Sequence, residues 1–260
     1  MSDLAELGKE LENLLRLRTR IIGFKRFLRE EDLESIPNIQ RMGHYSYFCQ
    51  LVTYCRTGSV PVGASQKDVT PSCATVVGLM EVPSEGKDGM VFGKTWVTTK
   101  EDAKKRMDLI PRIPVNEHGA ILLSPLSSFE FEPDVILTYG TPAQMMFIIN
   151  ALQLTDYEVL HFYSVGETAC SDALVRCYLT KKPALTIPCL GERRIGHVAE
   201  DELVFALPPG LLKKVVENTK ELFKRGLWYP IRHRGTFADL TTIQHPAYVD
   251  TWLNPYRGKK

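Results

Sequence analysis

Six cysteines are the residues of this 260-residue chain best equipped for chemistry. Thiolates are soft ligands that select iron–sulfur clusters, zinc or copper(I) over hard cations, and a thiolate is also the attacking group of a thiol enzyme. No Cys-x-x-Cys occurs, which removes a thioredoxin-type redox pair and simple zinc-ribbon spacing. Setting divides the six. Cys55, in Tyr54-Cys55-Arg56, and Cys177, in Arg176-Cys177-Tyr178, fall inside helical stretches and read as small buried hydrophobes. Cys49 lies near a helix start, Cys73 follows Pro71-Ser72, Cys170 follows Gly166-Glu167-Thr168-Ala169, and Cys189 opens the turn that ends in Arg193-Arg194. Turns and element ends let ligands from distant segments converge on one centre, which mid-helix positions rarely do. The intervals of 24, 97 and 19 residues match no fixed ligand spacing, so spacing alone leaves convergence open.

Several polar residues stand near these cysteines in the chain. A guanidinium fork at Arg193 or Arg194 could hold a substrate carboxylate or offset thiolate charge, with a surface ion pair to Glu192 or Glu200 as the alternative. His44, His161 and His197 are candidate acids, bases or ligands, weighed against ordinary structural histidines. Glu167 and Asp172 flank Cys170 where a helix dipole favours carboxylates, so capping explains them. Tyr45, Tyr47, Phe48 and Tyr54 cluster near Cys49, and Phe162 and Tyr163 precede Cys170; they could wall a pocket for a flat substrate or simply be core.

The elements that must position these residues alternate between helix and strand. Leu4, Leu7, Leu11, Leu14 and Leu15 predict an amphipathic first helix, and Ile21–Leu28 a strand. Phe48, Leu51, Val52 and Cys55 predict a buried helix that Gly58 caps and Pro61 prevents from continuing. Strands are expected at Met90–Val97, Ala120–Leu123, Val135–Tyr139, Val159–Val165, Ala184–Ile187 and Leu203–Leu207, and helices at Thr99–Leu109, Thr168–Leu179 and after Pro208-Pro209-Gly210. Thr141-Pro142-Ala143-Gln144 spells a capping box with proline at the first helical position. That strand–turn–helix could seat an anion, although an ordinary turn is the weightier reading. The fold class is α+β: a single domain over 1–227 with a mixed β-sheet flanked by helices, and an extended C-terminal arm over 228–260 packed on it.

Composition closes off other functions. With 32 Lys plus Arg against 31 Asp plus Glu the formal charge is +1, so no basic field exists for nucleic acid. At 44% hydrophobic and 24% charged the chain is globular. It shows no secretory signal at its start and no apolar run long enough for a membrane span, so a cytoplasmic protein with reduced thiols is expected. Gly89-Met90-Val91-Phe92-Gly93-Lys94-Thr95 has three residues between its glycines where a phosphate loop needs four. Dinucleotide, zincin and nucleophile-elbow motifs are likewise missing.

Phe48-Cys49-Gln50, Ser72-Cys73-Ala74 before Gly78-Leu79, Pro133-Asp134-Val135 before Gly140, the Gly166–Cys170 turn, and Cys189-Leu190-Gly191-Glu192-Arg193 before Asp201-Glu202 together resemble the ArCR family, domain of unknown function 169. The resemblance covers most of the chain, from the first strand through the Leu211 helix; its most specific piece is the Cys-x-Gly-x-Arg turn. It implies an architecture and a cysteine pattern rather than a reaction, and it gives weight to Cys49, Cys73, Cys170 and Cys189 acting together. The expected cofactor is a 4Fe-4S cluster, with zinc as the alternative. The expected function is an iron-sulfur enzyme of anaerobic metabolism, a lyase such as a decarboxylase or else an oxidoreductase. Its substrate would be a small carboxylated compound, aromatic or not, with Arg193 holding the carboxylate and His44 or His197 moving a proton. Two rivals are a non-catalytic metal- or small-molecule-binding module and a metal-free cysteine-nucleophile enzyme. The expected partner is a small molecule, with no nucleic acid and no membrane, and with a homo-oligomer left open.

Overall fold

A computed structural model describes residues 3–87, 96–115 and 119–231. Its frame is a six-stranded sheet in the order β2-β3-β1-β4-β6-β5, built from β1 (Ile22–Phe27), β2 (Val62–Ser65), β3 (Ala120–Pro125), β4 (Val135–Gly140), β5 (Ala184–Thr186) and β6 (Leu203–Leu207). Every pairing between these strands is antiparallel. The parallel component of the expected mixed sheet is confined to two isolated bridges, Gln40 with Val62 and Ser46 with Val69.

Alternation along the strands sends side chains to two cores. Ile22 and Phe24, Ile121 and Leu123, Leu137 and Tyr139, and Val204 and Ala206 join one core; Ala120 and Leu122, Ile136, and Phe205 and Leu207 join the other. A period of two thus buries the sheet on both faces, which is why its strands read as continuous apolar runs. Helices α1 (Asp3–Leu15), α5 (Pro142–Gln153) and α8 (Leu212–Lys224) cover the second face. The first face carries α2 (Phe48–Gly58), α3 (Pro71–Val76), α4 (Lys100–Leu109) and a π turn, Ser171–Val175, that runs into α6 (Arg176–Thr180). The short α7 (Leu190–Arg194) follows β5. The cysteines are all on this first side.

Side-chain caps are made at Thr99 and Thr141. Thr141 and Gln144 form the expected capping box, and the Gln144 amide also donates to the carbonyls of Leu15 (2.8 Å) and Arg16 (3.1 Å), tying α5 to the end of α1. That spends the turn on structure. The left-handed C-cap of α2 is Ser59 (φ 57°), one residue beyond Gly58. Val159–Val165 is not a strand: Val159 and Tyr163 are exposed, and the Val165 amide donates to Asp172 at 2.7 Å instead of to a neighbouring strand. The β-branched and aromatic content of that segment serves an irregular loop leading to Cys170. Met90–Val97 falls almost wholly outside the described residues, as does the arm beyond Ile231; of the arm's start, Tyr229 packs edge-on against Phe147 with ring centres 6.0 Å apart. No helix among the described residues is long and apolar enough to cross a membrane.

Candidate functional site: four thiols at helix N-termini

The four selected cysteines all occupy first turns of helices. Cys49 is the second residue of α2, Cys73 the third of α3, Cys170 immediately precedes the π turn, and Cys189 is the N-cap of α7. Cys55 lies within α2 and Cys177 just past the π turn that runs into α6; both are fully buried in the apolar core, and burial pushes their thiols up, Cys177 to about 12. The division by setting therefore survives folding.

Specific backbone and side-chain contacts link the segments that carry the four turns. Ser46 donates its amide to Asp68 O (2.9 Å) and accepts one from Thr70 (3.0 Å), so the loops entering α2 and α3 run side by side. The Cys49 thiol donates to Gly191 O (3.7 Å) and the Thr53 hydroxyl to Gly196 O, which fastens α2 to α7. A Cβ on Gly196 would stand 2.9 Å from Cys49 Cβ, so only glycine permits this approach. The segment after α4 joins the other two: Ile113 donates to Val76 O at the end of α3 (3.0 Å), and the Ser171 hydroxyl donates to Pro111 O. Arg106 of α4 pairs with the buried Glu167 at 2.8 Å and holds the loop before Cys170.

The thiols consequently sense one another. Burial first, and then the charges of Cys73, Glu192 and Cys189, push the Cys49 thiol far up. Burial dominates at Cys170 too, followed by Cys73, Glu192, Cys189 and Cys49. Cys189 is also raised by burial, but the amides of Ala169, Glu192 and Gly191 lie near its sulfur and favour its charged form. Left alone, this is a nest of neutral thiols. A cationic centre reverses the balance, because it attracts four thiolates and relieves their repulsion. The N-terminal ends of the helices favour the same negative charge.

Beside the thiols lies Glu192, 2% exposed, an interior carboxyl rather than a surface partner for the arginines. Tyr139 donates to its Oε1 at 3.1 Å, its Oε2 is without a partner, and burial raises its carboxyl to about 7. Behind Tyr139, Arg56 stacks on the ring (4.4 Å to its centre) and forms a two-pronged ion pair with Glu202 (3.0 and 3.2 Å), both side chains 3% exposed. A glutamate at the third position of a helix is ordinarily a capping residue; only the distant Tyr139 and Arg56 make this one interior, and no local signal announces that.

The other sequence-derived candidates stand apart. Arg193 turns its guanidinium to the carbonyls of Ala199 and, at 3.3 Å, Glu202, so its fork is already engaged by backbone. His44 and His197 are exposed, His197 at φ 50° directly after Gly196. Among the described residues no three or more His, Cys, Asp or Glu side chains form a group that could hold a metal ion as they stand. A single zinc needs four sulfurs about 2.3 Å from one point. A 4Fe-4S cluster instead takes one thiolate on each of four irons, and four cysteines are the soft donors that either centre would need.

A family described as uncharacterised ArCR, domain of unknown function 169, matches residues 10–218, and the chain belongs to it. An uncharacterised protein of Methanocaldococcus jannaschii is 25% identical over 235 residues, 88% of this chain and 97% of that protein. No solved structure matches the chain.

Proposed function

We propose that this member of the ArCR family is an iron–sulfur protein in which Cys49, Cys73, Cys170 and Cys189 hold a 4Fe-4S cluster, and that it works as an enzyme on a small molecule in a reducing, cytoplasmic setting. The observation that carries the reading is the placement of four thiols in four first helical turns, within electrostatic reach of one another. When bound, such a cluster supplies either an electron store or, with three ligands and one open iron, a Lewis acid for a substrate oxygen.

The chain's own residues then divide the work. The amides of Ala169, Gly191 and Glu192 stabilise the Cys189 thiolate. Tyr139 fixes the Glu192 carboxyl, whose second oxygen is left to meet a proton or a ligand. A lyase reaction on a carboxylated compound remains the proposed chemistry. Arg193 serves it poorly, because substrate would have to displace two carbonyls from its fork. His197 and His44 are both exposed, and His197 directly follows Gly196, which packs against Cys49, so His197 is the proposed proton carrier. Anaerobic purification with iron, sulfide and zinc analysis tests the proposal: iron and sulfide in equal amounts support it, and one zinc or none of these elements refutes it.

A further inference from the structure

Away from the thiols, a cavity of about 470 Å³ opens between the C-terminal ends of α1 and α2, within the size range of small-molecule sites. Four arginines line it: Arg16, Arg18 and Arg20, alternating along the segment that leaves α1, and Arg56 from α2, with Thr19, Thr57 and Ser59 adding hydroxyls. Glu12 is the one acid in its lining. We propose that this cavity binds the phosphate group of a small anionic ligand.

Charge accounting supports an anion. Arg20 is paired with Glu12 at 2.9 Å, Arg18 with the half-exposed Asp201 at 2.6 Å, and Arg56 with Glu202. Arg16 has no acidic partner among the described residues, which leaves surplus positive charge in the cavity. Exposed pairs such as Arg18–Asp201 hold little energy, so an incoming dianion can take over the guanidinium. The donor chemistry suits a tetrahedral oxyanion. Guanidinium forks match phosphate oxygens, and Thr19 Oγ1 already accepts from Arg56 (3.4 Å), which leaves its own proton available to donate. Arg56 is also the cavity's inner wall: its guanidinium lies on Tyr139, which holds Glu192 beside the cysteines. A ligand here would therefore touch the same buried ion pair that backs the thiol site. The competing account is that the arginines merely neutralise the carbonyl ends of two helices.

Titration calorimetry of the full chain as purified, at constant ionic strength, distinguishes these accounts, and none of the four thiols lines the cavity, so the result does not depend on iron content. Inorganic phosphate and glycerol phosphate are the probes; tighter binding of the ester identifies an organic phosphate, and equal binding identifies free phosphate. The parent should bind saturably. Arg16→Gln and Arg18→Gln, each confirmed folded by its melting curve, should weaken binding about tenfold or more, while Arg29→Gln, which does not line the cavity, should leave it unchanged. The absence of saturable binding, or equal weakening in all three variants, overturns the proposal.

Discussion

Cys189 and Glu192 sit three positions apart, and their environments pull in opposite directions. Burial opposes charge on both, but nearby amides counter it at Cys189, whereas at Glu192 only Tyr139 and the more distant arginines do so. Serine at position 49, 73, 170 or 189 should lower the iron bound per chain, read by metal analysis after anaerobic purification. Serine at Cys55 should leave iron unchanged and cost about 1–3 kcal/mol in denaturant unfolding, because it buries a hydroxyl with no assured partner. Glu192 gives a pH signature in metal-free protein. Its carboxyl is raised from 4.5 to about 7, so the folded chain holds a proton that the unfolded chain releases. The associated stability is fully present below about pH 4.5 and is lost as pH rises through 7, on the order of 3 kcal/mol in all. Denaturant midpoints at pH 5 and pH 8 should therefore differ less for Glu192→Gln than for the parent; an identical difference would contradict the assignment.

The site exists because helices begin where they do. Four short entries, each tied to another segment by a hydrogen bond or an ion pair, bring their thiols within electrostatic reach of one another, and Gly196 lets α7 approach α2. Alanine there would place its Cβ 2.8 Å from Glu192 O and 2.9 Å from Cys49 Cβ. We expect Gly196→Ala to cost roughly 1–3 kcal/mol and to reduce iron occupancy, measured on the same preparation; unchanged iron with normal stability would show that the approach is looser than described. Much at this scale was legible in the chain. The helices carrying Cys49 and Cys170, the capping box at Thr141 and the strands at 120, 135, 184 and 203 follow from periodicity and caps. Val159–Val165 misled because β-branched and aromatic residues satisfy a strand pattern without a strand beside them, and Asp172 satisfies the backbone that a neighbour would have taken. Arg193 misled for a related reason: the carbonyls that occupy its fork come from a turn whose geometry has no sequence signature.

At the scale of the whole molecule, a sheet buried on both faces separates two cores, and the thiols share the side where the Arg56–Glu202 pair is sealed. The α+β class was legible from composition and alternation; the antiparallel order of the strands was not, since a continuous apolar run fits either direction. Nor were the contacts between segments more than a hundred residues apart, such as Cys49 with Gly191. Replacing Arg56 by Met should strip Glu202 of its partner and cost about 3–5 kcal/mol, read by urea unfolding of the full chain; a loss below about 1 kcal/mol would mean the pair is wetter than its 3% exposure indicates. The most direct test of the central claim is the elemental content of oxygen-free protein together with its visible spectrum. The account predicts about four iron and four sulfide per chain with a broad visible absorption that air bleaches, and colourless protein carrying four titratable thiols at these positions and no iron would contradict it.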